Sequence, residues 1–129
     1  MSNNDGSITL YGIPNCDTVK KARAWLAERE ADVVFHDFKK AGVPVERLDA
    51  WLKAAGWERL LNRQGTTWRK LDDALRASAV DATSAKRVML DQPSVIKRPV
   101  VEWGDGQVTV GFDAEDWAGR VPDHHRRSG

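Results

Sequence analysis

The chain has 129 residues, 41% of them apolar and 30% charged, with 20 basic and 19 acidic residues and a net charge of +1. That length suits one compact domain with a real core, and the near-neutral balance excludes a global pull toward nucleic acid or anionic membrane. No apolar run is long enough to span a bilayer and no signal-peptide h-region opens the sequence. The single cysteine rules out an internal disulfide, so the setting reads as reducing and cytoplasmic. His36 stands alone, and His124-His125 falls in a polar tail read as solvated chain end, so no metal site is expected.

Residues 1–7 read as a flexible N-terminus. Ile8 to Tyr11 is predicted as a short strand, and a first helix runs from about Cys16 to Glu30, with Val19, Ala22 and Leu26 on one face and Trp25 beside them. Val33 to Phe38 is apolar and β-branched, the pattern of a buried strand. Parallel pairing of the two strands through a right-handed crossover is the natural solution. Lys39 to Pro44 reads as a turn. A helix follows with Leu48, Trp51, Leu52 and Ala55 at helical spacing, ended by Gly56.

Arg59 to Asn62 reads as a helical turn, Arg63 to Thr67 as a donor-rich loop, and Trp68 to Ala79 as short helix and connections. Thr83 to Leu90 is helical, with Val88 and Met89 toward the core, and Pro93 stops it. The sheet is predicted to resume over Val95 to Trp103, to turn at Gly104-Asp105-Gly106 and to return over Gln107 to Val110. Asp113 can cap a last helix ending near Gly119, with Asp116 favouring its dipole. The expected fold is α/β: a small mixed sheet in a single domain over 8–121, a helical insertion at about 44–92, and a flexible tail over 122–129. The six tryptophans are scattered and read mostly as packing residues.

Cys16 falls where the turn Gly12-Ile13-Pro14-Asn15 meets the first helix. Backbone N–H groups of a first helical turn lack intrahelical partners and carry partial positive charge. A thiolate there is favoured over the thiol, so the pKa should fall below about 8.5 and the sulfur should act as a nucleophile. A lone cysteine can also be a small buried hydrophobe. The polar neighbours Asn15, Asp17, Thr18, Lys20 and Lys21 argue for exposure. Arg98-Pro99 is the second notable pair. Proline lacks a ladder donor and belongs at the start or edge of a strand. The bond before it can be cis, and Arg98 is by itself either a surface cation or a site residue.

Gly12 to Ala22, Asn62 to Leu71 and Pro93 to Val101, taken in order, resemble the ArsC family of arsenate-reductase-related proteins, in the YffB-like branch beside the Spx and MgsR regulators. The resemblance covers about Ser7 to Val121. It implies a thioredoxin-like fold with a helical insertion. It also implies Cys16 as nucleophile, Pro99 as a cis-proline facing it, and Arg98 as the anion-binding arginine. Arsenate reductases carry a further arginine where Asn62 aligns; here Arg63 comes one place later. Their arginine on the strand after the hairpin aligns near Gly111 and is missing. Each lost charge-assisted contact removes roughly 1.5–3 kcal/mol of anion binding. Val19 stands where a Cys-x-x-Cys motif has its second cysteine, so the Spx switch cannot form.

The resemblance therefore implies a monothiol, glutathione-dependent thiol oxidoreductase working through a Cys16 mixed disulfide, with glutathione as co-substrate, glutaredoxin as a possible partner, and no metal or prosthetic group. Lys20 or Lys21 would meet a glutathione carboxylate, or simply line a solvated helix face. Asn15, Thr18, Arg63 and Thr66 are further site-lining donors. The alternatives are arsenate reduction through a Cys16 thioarsenate, and a regulator that binds the RNA polymerase α subunit. A monomer is expected, since no long apolar stripe is left unexplained.

Overall fold

The structure is a computed structural model and describes residues 8–121; the predicted flexible ends at 1–7 and 122–129, with His124 and His125, lie outside the described residues. The chain forms β1 (Ile8–Gly12), α1 (Asp17–Glu28), β2 (Val33–Asp37), α2 (Phe38–Ala41), α3 (Val45–Ala55), α4 (Trp57–Leu60), α5 (Thr66–Lys70), α6 (Asp73–Ser78), α7 (Ala82–Asp91), a 3-10 turn (Pro93–Val95), β3 (Val100–Glu102), β4 (Val108–Val110) and α8 (Ala114–Ala118). Two compact units result among the described residues, one of residues 8–37 and 98–121, the other of residues 38–97. No helix among the described residues is long and apolar enough to cross a membrane.

The first unit holds the sheet, in the order β2-β1-β3-β4. β1 and β2 are parallel, with Leu10 opposite Phe35. β1 and β3 are antiparallel, with Leu10 opposite Val101 and Tyr11 opposite Val100. β3 and β4 form the expected hairpin, with Val101 opposite Thr109. The two-residue period of a strand turns Ile8, Leu10 and Val101 to one face. There they join Val19, Ala22 and Leu26 of α1, and Trp103, Trp117 and Val121. Trp117 is 0% exposed, in edge-on contact with Trp103, Trp25 and Phe112. Trp103 keeps its indole N–H satisfied by donating to Thr109 Oγ1 at 3.0 Å. Asp113 caps α8 as expected, its side chain accepting the Glu115 and Asp116 N–H groups.

The second unit is helical. Leu48 and Trp51 of α3 and Ala85, Val88 and Met89 of α7 are among its buried positions, as the 3.6-residue period requires. Gly56 ends α3 at φ 89°, a conformation that favours glycine. Asp81 opens α7 with a capping box: its carboxylate accepts the Ser84 N–H while Ser84 Oγ accepts the Asp81 N–H.

Several predicted elements are corrected. β2 is not a buried strand. It lies at the sheet edge, Val34 is 54% exposed, and Val33 and Phe35 are only half-buried against the core. Phe38 leaves the strand to begin α2, so the expected turn at Lys39 is partly helical. α1 starts after Cys16 and ends at Glu28. The helical turn near Arg59 sits further upstream, as α4, and α5 takes Thr66 and Thr67 out of the loop. The sheet resumes at Val100 rather than Val95, because residues 95–97 spend their backbone groups elsewhere. Asn62 N–H donates to the Val95 carbonyl at 2.7 Å and Lys97 N–H to the Leu60 carbonyl at 2.8 Å.

Candidate active site

β1 delivers the chain to Gly12, and the turn through Ile13, Pro14 and Asn15 closes with the Cys16 N–H donating to the Ile13 carbonyl at 3.2 Å. Cys16 is the N-cap of α1, with extended backbone at φ −88° and ψ 127°. Its carbonyl accepts the Lys20 N–H at 2.9 Å and so starts the helical ladder. The thiol is half-buried, packed against the edge of the core.

Partial burial pushes the Cys16 thiol up, but the surrounding donors win and hold it below the ordinary cysteine range. The Val19 N–H lowers it most. The Arg98 guanidinium follows, first as a donor to the sulfur and then as a charge, and the Thr18 N–H adds a little. The two N–H groups act without closing a capping hydrogen bond to the side chain. Their effect is that of the positive end of a helix on a nearby anion. Asp17, the acidic residue of that first turn, is exposed to solvent.

Sheet topology explains why Arg98 meets Cys16. β1 and β3 are antiparallel neighbours, with Tyr11 opposite Val100. The residues just after β1 and just before β3 therefore emerge at one end of the sheet. The Arg98–Pro99 peptide is cis. Pro99 is buried, and its carbonyl accepts the Gly111 N–H at 2.8 Å, which ties the loop to the far arm of the hairpin. Arg98 is half-buried, with Nε shut off from solvent.

Of the predicted site residues, Cys16, Arg98 and Pro99 come together at this end of the sheet. Thr18 contributes through its backbone N–H, and its side chain is exposed. Asn15 and Lys20 are exposed on the turn and on the first turn of α1. Arg63 and Thr66 belong to the second unit. Arg63 is exposed and its guanidinium lies over the Trp57 ring, 5.4 Å from the centroid. Thr66 opens α5. Asn62 is committed to shaping this loop. Its side-chain oxygen accepts the Gln64 N–H at 3.3 Å, and a side chain at Gly65 would meet its amide nitrogen at 2.7 Å.

Two residues outside the predicted set matter here. The Val19 N–H, in the turn that Cys16 caps, helps to lower the thiol's pKa, a backbone role that the side chain at that position does not signal. Gly12 lies directly under that side chain; a glycine at a strand end before a turn is the sequence signal for such a close approach. No group of three or more His, Cys, Asp or Glu suited to a metal ion occurs among the described residues.

Residues 11–119 match the ArsC family. The solved structure of a protein titled YFFB (PA3664) superimposes with a TM-score of 0.84 at 48% identity, over 89% of this chain and 99% of that one. An arsenate reductase (ArsC) related protein from Brucella melitensis gives a TM-score of 0.69 at 53% identity, over 88% of this chain and 92% of that one. The global transcriptional regulator Spx of Streptococcus agalactiae is 25% identical over 122 residues, 93% of this chain and 87% of the regulator.

Proposed function

The chain belongs to the ArsC family, with its thioredoxin-like α/β fold, and from that premise we propose that it is a monothiol, glutathione-dependent thiol oxidoreductase of a reducing, cytoplasmic setting. The observation that supports this reading is the Cys16 thiol at the start of α1, held below the ordinary range by the Arg98 guanidinium and the first-turn N–H groups. A guanidinium stays charged at any working pH and donates in a fixed fork. It favours the thiolate before reaction and can hold an anionic group of the incoming substrate.

The Cys16 thiolate attacks one sulfur of a substrate disulfide. A Cys16–substrate S–S bond forms, the original S–S bond breaks, and its electron pair leaves with the departing thiolate. The chain has one cysteine, and Val19 occupies the position of a resolving thiol. An external thiolate must therefore attack the mixed disulfide. Glutathione takes up the attached half as a new disulfide, and the Cys16 thiolate leaves with the electron pair. Lys20 or Lys21, both exposed on α1, would attract a glutathione carboxylate, and a glutaredoxin would serve the same resolving step. The test is glutathione-coupled reduction of a small mixed disulfide. Wild type should turn over and Cys16→Ser should not; equal turnover in both would sink the reading.

The kinship with arsenate-reductase-related proteins favours arsenate as a second substrate: the Cys16 thiolate displaces hydroxide from arsenic, a glutathione thiolate then attacks the Cys16 sulfur, and arsenite leaves with the As–S electron pair. By the resemblance, arginines of that chemistry align at Asn62 and near Gly111, so saturation at low arsenate is not expected. The Spx relative favours a third reading, a regulator that binds the RNA polymerase α subunit. Co-purification of that subunit with a chain lacking thiol turnover would select it.

A further inference from the structure

An alanine methyl built at Gly12 would lie 2.8 Å from Val19 Cγ2 and 3.6 Å from Cγ1. That is closer than real side chains pack, so something would have to move. Gly12 is not among the glycines with positive φ. Its backbone suits any residue, and the constraint is space alone.

Each way of relieving the contact is restricted except one. Val19 is β-branched, and a helical valine holds essentially one χ1 rotamer, so its methyls cannot swing aside cheaply. Val19 is also fully buried among Leu10, Ala22 and Leu26. Gly12 is held in β1, opposite Asp37 of β2, and its neighbour Tyr11 is opposite Val100 of β3. The first turn of α1 is the freer partner, since its residues Asp17, Thr18 and Lys20 are exposed. That turn carries the Val19 N–H, third in the helix that Cys16 caps and one of the donors that hold the thiol's pKa down.

We infer that Gly12 is a positioning residue: by leaving room for the Val19 methyls, it seats the first turn of α1 so that the Val19 N–H is aimed at the Cys16 sulfur. The inference rests on the reading above only in taking Cys16 as the reacting atom. The charged group that acts on that sulfur from a neighbouring element is Arg98, ahead of β3. On α1 itself, Asp17 and Lys20 are exposed to solvent. The three atoms nearest the methyl that Gly12→Ala adds all belong to Val19.

The test is the pH dependence of Cys16 alkylation by iodoacetamide on the full chain. Gly12→Ala should raise the midpoint by about half a pKa unit, slowing alkylation near neutral pH by ~3-fold. Adding Val19→Ala removes the opposing methyls and should return the midpoint to that of wild type. A folded Gly12→Ala protein with an unchanged midpoint overturns the inference, and so does a raised midpoint that Val19→Ala does not restore. If Gly12→Ala alone does not fold, the double variant decides. Recovery of the fold with the wild-type midpoint supports the inference; an unfolded chain or a raised midpoint refutes it. Alkylation needs no turnover, so the inference can stand even if no thiol transfer is found.

Discussion

Gly111 donates its backbone N–H to the carbonyl of Pro99 at 2.8 Å while holding φ at 87°. One residue thus anchors the loop that carries Arg98 and does so from a backbone conformation that disfavours every residue with a side chain. The position that the resemblance sets near a family arginine is spent here on supporting the loop.

Gly111→Arg should therefore not rebuild an oxyanion site. A left-handed conformation costs a non-glycine residue about 1–2 kcal/mol, which lowers the melting temperature of a domain this size by several degrees. Differential scanning calorimetry and arsenate titration of the variant check both parts. A variant as stable as wild type that binds arsenate more tightly would contradict the assignment.

Arg98 lowers the Cys16 pKa both as a donor and as a charge. Arg98→Ala should raise the alkylation midpoint by about one unit, and Arg98→Lys should recover only part of that. The lysine keeps the charge and loses the planar fork. Full recovery by lysine would mean that charge alone matters.

The same depressed pKa makes stability depend on pH. The folded chain favours the thiolate more than the unfolded chain does. Cys16 therefore contributes stability above its unfolded pKa of about 8.5, and that contribution is lost as pH falls through the lower folded value. The difference in unfolding free energy between wild type and Cys16→Ser should grow from pH 6 to pH 9. A constant difference across urea titrations at those pH values would refute the shift.

Trp117 carries the core of the first unit, with ring centroids 4.8 Å from Phe112 and 5.1 Å from Trp103. Trp117→Ala should cost about 3–5 kcal/mol. Chemical denaturation monitored by far-ultraviolet circular dichroism measures it; a loss under about 1 kcal/mol would mean that the cluster collapses onto the gap.

Local chemistry wrote much of this into the chain. Leu48 and Trp51 repeat at helical spacing and are buried; Gly56 ends α3; Asp113 caps α8. What the chain does not display is set by which strands become neighbours. Val33 to Phe38 has the apolar content of an interior strand, yet the order β2-β1-β3-β4 puts it at an edge. Val95 to Lys97 has strand-like composition, yet its backbone groups pair with Leu60 and Asn62. Cys16 is conspicuous on its own. Its partnership with Arg98 depends on β1 lying beside β3, and that contact between distant segments has no local signature.

Val19 is 0% exposed, aliphatic, and set where a second thiol would otherwise wait. Oxidation of this chain therefore cannot be hidden inside it as a closed loop. Each oxidised molecule has to carry a passenger on its sulfur, whether a peptide, a small thiol or an oxygen atom. The weight of the intact chain thus keeps a record of its last reaction.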